Sequence, residues 1–183
     1  MSKEEMVLVI DRTDIDVDLI APLQIIMPAL VLACPFSLYT TLGREIKTEN
    51  LYDGLVEECR IDGYSSLTET LREILKAREG RAFRVCVLGG RKVSWDVVLE
   101  YKRRQVMIDT VGRTLHLNQV SYTTGGIAKE VDEHNIITQF LTVFSMSSNL
   151  RGWFNLQENQ KISFHLECQA CPEQPQELPG RRG

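Results

Sequence analysis

The chain has 183 residues, 43% of them apolar and 25% charged, which fits one globular domain and excludes fibrous or low-complexity classes. Its formal net charge of −4 argues against a dedicated nucleic-acid-binding domain, which is usually basic, and leaves room only for a local basic patch. Cys34, Cys59, Cys86, Cys168 and Cys171 are odd in number and irregularly spaced. They make no disulfide framework and, with an N-terminus lacking a signal-peptide pattern and no Asn-x-Ser/Thr sequon, predict a reducing, cytoplasmic setting.

Met6 to Ile10 is a short apolar strand candidate. Ile15, Val17 and Leu19 alternate with Asp14, Asp16 and Asp18, the period of a half-buried strand. The apolar run Leu19 to Ala33 contains Pro22 and Pro28 and falls short of the roughly 20 residues a spanning helix needs. It reads as core strand or buried extended chain, and it overlaps a second strand zone, Gln24 to Thr40, which Pro28 and Pro35 make an edge, bulged or interrupted one. Two helices are predicted next. In the first, Leu51, Leu55, Val56 and Cys59 share one face. In the second, Ser66-x-x-Glu69 is a capping box ahead of Leu67, Leu71, Ile74 and Leu75.

After Gly80 the pattern reads as strands. Ala82 to Leu88 and 93–101 are predicted to pair as a hairpin through Gly89-Gly90, with Trp95, Val97, Leu99 and Tyr101 on one side. Val106 to Thr110 and Arg113 to Val120 form another predicted pair. A loop follows around Gly125-Gly126, then a long strand from Asn135 to Met146 with Phe140 and Phe144 on one face, and a last strand through Ile162, Phe164 and Leu166. The expected fold is therefore α+β: mainly antiparallel sheet with two helices, about 49–61 and 66–79, packed on one side. It is expected to form a single domain over 1–167, and 168–183, with three of the six prolines, a disordered tail.

No local pattern names a reaction. Cys168-x-x-Cys171 lacks a second ligand pair, His165 and Cys86 being the nearest. Asp14, Asp16 and Asp18 lack the Gly and closing Glu of a calcium loop. Neither glycine pair completes a phosphate-binding loop. His116, His134 and His165 make no nucleophile–base pair by spacing. No catalytic residue, cofactor or metal is expected. Arg81, Arg84, Arg91, Lys92, Lys102, Arg103 and Arg104 crowd the middle of the chain, a cluster suited to phosphates of RNA or of an anionic membrane surface. Ile25, Ile26, Met27, Pro28 and Leu30, with Trp153 and Phe154, are candidates for self-association.

Four segments carry a family resemblance: Leu30 to Thr40, the helical stretch Leu51 to Lys76, Gly112-Arg113-Thr114-Leu115-His116-Leu117, and the amphipathic Ile136 to Ser147. In this order, over about residues 25–150, the chain resembles the matrix proteins of rhabdoviruses, chiefly the shorter plant-infecting type. The resemblance implies a non-enzymatic homo-oligomer that condenses viral nucleoprotein near a membrane, in host cytoplasm or virion. The acidic start, the negative charge and the missing Pro-Pro-x-Tyr motif are departures; they weigh against membrane contact more than against assembly. The alternatives are an adaptor that holds a peptide on a sheet face or edge strand, and a small-molecule binder or enzyme with a pocket around Trp95 and Tyr101.

Overall fold

Met-Val-Leu-Val-Ile is a continuous rather than alternating apolar run, and Phe-Arg-Val-Cys-Val-Leu is interrupted only by Arg84, the pattern of strands buried on both faces. The computed structural model, which describes residues 4–12, 15, 22–41, 45–46, 66–131 and 135–146, places both at the centre of a sheet. The strands are β1 (Glu5–Ile10), β2 (Phe36–Thr40), β3 (Glu45–Ile46), β4 (Phe83–Leu88), β5 (Ile108–Gly112) and β6 (Ala128–Glu130). Their spatial order is β3-β2-β1-β4-β5-β6. All neighbouring pairs are parallel except β2–β3, which is antiparallel. The helices are α1 (Leu23–Ala33), α2 (Leu67–Ala77), α3 (Trp95–Arg103), α4 (Leu115–Thr124) and α5 (Ile136–Met146). The chain divides into two units, Met1–Arg151 and Gly152–Gly183, and the described residues belong to the first.

This α/β architecture replaces the expected antiparallel α+β sheet with two helices. The expected hairpin across Gly89-Gly90 is instead a β4–α3–β5 crossover, since parallel neighbours need a connection long enough to return along the sheet. Three segments that read as strands are helices. In α3 the buried residues are Val97, Val98 and Tyr101, a helical spacing hidden under the Trp95/Val97/Leu99/Tyr101 alternation. In α5 they are Ile136, Phe140, Val143 and Phe144. In α4 they are Leu117, Val120, Ser121 and Thr124, between a Thr114 cap and Gly125 at φ 80°. Much of the Pro-interrupted strand zone is also helix: Leu23, Met27, Leu30 and Ala33 of α1 are buried, although Pro28 removes one intrahelical hydrogen bond. The predicted helix 49–61, the strand readings of Val17–Leu19 and Ile162–Leu166, and the tail lie outside the described residues.

Side-chain alternation sorts the helices onto two faces. Val7, Val9, Tyr39, Phe83, Val85, Val87 and Ile108 form one cluster with Leu67, Leu71, Ile74, Val97, Val98, Tyr101, Leu117 and Val120, so α2, α3 and α4 cover that face. Met6 and Phe36 pair in register on the opposite face, where Phe36 meets Phe144 of α5 edge-on at 6.3 Å. Each buried Leu or Ile side chain stabilises the fold by about 1.5–3 kcal/mol.

Three polar devices fix the layers. The capping box of α2 is present in both directions, Ser66 Oγ accepting from the Glu69 N–H and Glu69 from the Ser66 N–H, each at 3.1 Å. The buried Arg78 guanidinium donates to Glu5 at 2.8 and 3.0 Å and to the Tyr39 hydroxyl at 2.9 Å. On the other face the Arg84 guanidinium grips Asp109 at 2.5 and 2.6 Å, both groups being buried. Burial alone would lower the Arg84 pKa, but the Asp109 hydrogen bonds and charge raise it.

Candidate functional site

In open α/β sheets ligands usually bind outside the carboxyl ends of the strands, where the strand order reverses. Here that point lies between β1 and β4. Asp11 follows β1 directly, its N–H donating to the Leu88 carbonyl at 2.8 Å. Gly89 follows β4, with its N–H on the Val111 carbonyl at 3.1 Å. The carboxylate of Asp11 is fully buried and takes the Arg91 Nε–H at 2.7 Å. The backbone is closed as tightly. A Cβ on Gly89 would stand 2.4 Å from the Asp11 Cβ, and one on Gly112 would stand 2.0 Å from the Gly89 carbonyl oxygen. Thr41 Oγ1 accepts from the Arg12 N–H at 3.2 Å, and Thr114 Oγ1 donates to the Gly90 carbonyl at 3.3 Å.

Asp11 is paired with the Arg91 cation and packed against the backbone that follows β4. Among the described residues no group of three His, Cys, Asp or Glu side chains could hold a metal ion, and no helix is long and apolar enough to cross a membrane. Cys86 is buried inside β4, and burial, followed by the nearby Asp109 charge, pushes its thiol pKa well up. That leaves it protonated rather than nucleophilic.

The seven expected anion-binding residues are not one surface. Arg84 and Arg91 are committed to Asp109 and Asp11. Arg103 and Arg104 both hold Glu100, each at 2.7 Å. Arg81, Lys92 and Lys102 are exposed, but Arg81 precedes β4, Lys92 follows it, and Lys102 lies at the end of α3. Of the self-association candidates, Met27 and Leu30 are core residues, whereas Ile25 and Pro28 are exposed and Ile26 is half-buried. Trp153 and Phe154 lie outside the described residues. Trp95 is exposed, while Tyr101 is buried with its hydroxyl donating to the Leu71 carbonyl at 2.9 Å, so the two do not line one pocket.

Two exposed apolar faces remain, and the sequence reading identified only part of one. On α1, Ile25 and Leu32 are 77% and 79% exposed, flanked by Pro28 and Val31. The helix, Leu-Gln-Ile-Ile-Met-Pro-Ala-Leu-Val-Leu-Ala, contains no charged residue. On α3 and α4, Trp95, Leu99, Leu115 and Tyr122 are exposed. A helical reading of both segments would have exposed these stripes, because each sits opposite a buried face at the same period.

No protein family and no curated protein matches the chain. Solved structures do. The N-terminal domain of TFIIH p34 superposes with a TM-score of 0.57 at 15% identity, over 76% of this chain and 96% of that one. A von Willebrand factor type A protein from Catenulispora acidiphila superposes with a TM-score of 0.51 at 12% identity, over 81% of this chain and 43% of the other. At this identity the likeness establishes the fold.

Proposed function

We propose that the chain is a non-catalytic adaptor that binds a protein partner through an exposed helical face. One observation carries the reading: α1, a helix without charge, leaves Ile25 and Leu32 almost fully in water. Apolar faces of this kind mark contact surfaces. The fold shared with the TFIIH p34 domain and the von Willebrand factor type A protein supports the reading, as does the commitment of Asp11, at the end of β1, to the Arg91 guanidinium.

The test is quantitative enrichment from cells producing the wild-type chain or Ile25→Asp/Leu32→Asp. Both positions are exposed, so the variant is expected to fold. A defined partner held by the wild type and lost from the variant supports the adaptor. Equal recovery from both, or no partner at all, overturns it.

Self-association is a second reading, favoured by the same absence of charge, since nothing on α1 would repel a second copy. The resemblance to viral matrix proteins would use such a contact. However, of its segments read as sheet and strand, Leu115–Leu117 lie in helix α4 and Ile136–Met146 form helix α5, which favours the adaptor. Light scattering across protein concentration separates the two, as an oligomer dispersed by Ile25→Asp/Leu32→Asp would favour assembly.

A further inference from the structure

α3 and α4 follow adjacent parallel strands and cover the same sheet face, so they run side by side in the same direction. Their first residues lie level, and the Trp95 ring meets the His116 ring edge-on at 5.6 Å. The His116 ring is itself anchored, its Nε2 lying 3.0 Å from the Val93 N–H and 3.1 Å from the Val93 carbonyl. Down α3 the outward stripe is Trp95, Leu99 and Lys102, at spacings of four and three. Down α4 it is Leu115 and Tyr122, seven apart and therefore on one side of the helix. Leu115 is 80% and Tyr122 74% exposed. Two aromatic and two aliphatic side chains thus stand in water across two neighbouring helices, a composition enriched at protein contacts.

The charges around this face are unequal. α4 contains no acidic or basic residue other than His116. On α3, Asp96 is neutralised by Arg72 from the α2 side at 2.7 Å. Glu100 holds two arginines, Arg103 and Arg104, at once. Lys102, at the end of the α3 stripe, and Lys92, three residues before Trp95, are exposed and make no ion pair with the described residues. A chain with a net charge of −4 therefore presents an apolar face with cationic ends.

We infer that the outer face of α3 and α4 receives an amphipathic helical segment of a partner protein, one that carries large apolar side chains flanked by carboxylates. The inference rests on the adaptor reading and gives it a second contact and a partner chemistry. Two parallel helices offer a lengthwise seat for a third, with Trp95, Leu99, Leu115 and Tyr122 packing against its apolar stripe. Lys92 and Lys102 would meet its acidic edges, which speeds encounter and rejects basic segments.

The test uses a displayed library of amphipathic helices, with apolar positions fixed and polar positions varied among Glu, Gln and Lys, selected on the full chain. The expected result is acidic binders. Their affinity falls about tenfold or more with Leu99→Ser and with Lys102→Glu, and weakens as salt rises. Ile25→Ser leaves it unchanged. Both α3 positions are exposed, and circular dichroism confirms that the variants remain folded. Neutral or basic binders, binders insensitive to both substitutions, or no binder at all overturn the inference. Any of these outcomes beside a partner lost from Ile25→Asp/Leu32→Asp leaves the adaptor standing and confines its contact to α1.

Discussion

The Arg91 guanidinium lies 2.7 Å from the carboxylate of Asp11, 80 residues earlier in the chain. The pair stands at the point between β1 and β4 where an open α/β sheet would ordinarily receive a ligand. Asp11 is fully buried while Arg91 remains partly exposed, so the two partners respond differently to loss of the pair. Removing the arginine takes the cation away from a buried carboxylate, which costs about 3 kcal/mol. Arg91→Met should therefore unfold at lower urea than the wild type. Adding Asp11→Asn to it should recover part of the loss, because a neutral amide needs no cation. Urea titrations of the two single variants and the double variant measure the coupling, and additive effects would contradict it.

Gly112, packed against Gly89, and Gly125, at the end of α4, make a sharper test. Gly112→Ala places a methyl group against the Gly89 carbonyl and close to the Leu117 side chain. Backbone cannot yield as a flexible side chain does, so a loss of about 3 kcal/mol is expected. Gly125 has open space around its missing Cβ and only a left-handed φ of 80°. Gly125→Ala should cost about 1 kcal/mol. Thermal melts that rank the two variants the other way round would refute the packing argument.

The acid limb of stability should contain Glu5. Burial would raise its pKa, but hydrogen bonds from Arg78 and Ser37, with the Arg78 charge, hold it below the ordinary glutamate value. A carboxylate whose pKa is lower folded than unfolded adds stability above its unfolded pKa. That contribution is lost as pH falls through its folded pKa. Glu5→Gln should lower stability at neutral pH and flatten its decline below about pH 4.5. Parallel stability-against-pH curves at constant ionic strength are the measurement, and unchanged acid slopes would exclude the assignment.

Arg84 and Asp109 lie away from every proposed contact and are expected to act on stability alone. Arg84→Met leaves the Asp109 carboxylate buried without its cation, at a cost of about 3–5 kcal/mol. Asp109 also accepts the Ile127 N–H at 2.7 Å, and an asparagine oxygen can keep that bond. Arg84→Met/Asp109→Asn should therefore be more stable than Arg84→Met alone in urea. A double variant no better than the single would assign the loss to packing of the arginine stem instead.

Some of this architecture was legible from local signals. Ser66 and Glu69 announce the start of α2 because a capping box is satisfied within four residues. Met6 to Ile10 and 83–88 announce strands because they are short, apolar and β-branched. α3 and α5 were misread because alternation and a 3.6-residue period coincide over short runs. Trp95/Val97/Leu99/Tyr101 fits a strand until Val98 is found buried and Leu99 exposed. Pro28 made α1 read as an interrupted strand, since its missing N–H disfavours both structures and does not say which one survives.

Composition and local pattern establish that the chain has enough apolar residues for a core, where α2 begins, and that Met6 to Ile10 and Ala82 to Leu88 contain strands. Tertiary structure makes β1, β2, β4, β5 and β6 parallel, because strand direction is set by crossover connections and not by composition. It also decided the fate of the basic residues. Arg84 and Arg91 read as free cations in sequence, yet Asp109 and Asp11 claim them across 25 and 80 residues. The faces left for a partner, on α1 and across α3 and α4, follow from what those pairings and the sheet did not bury.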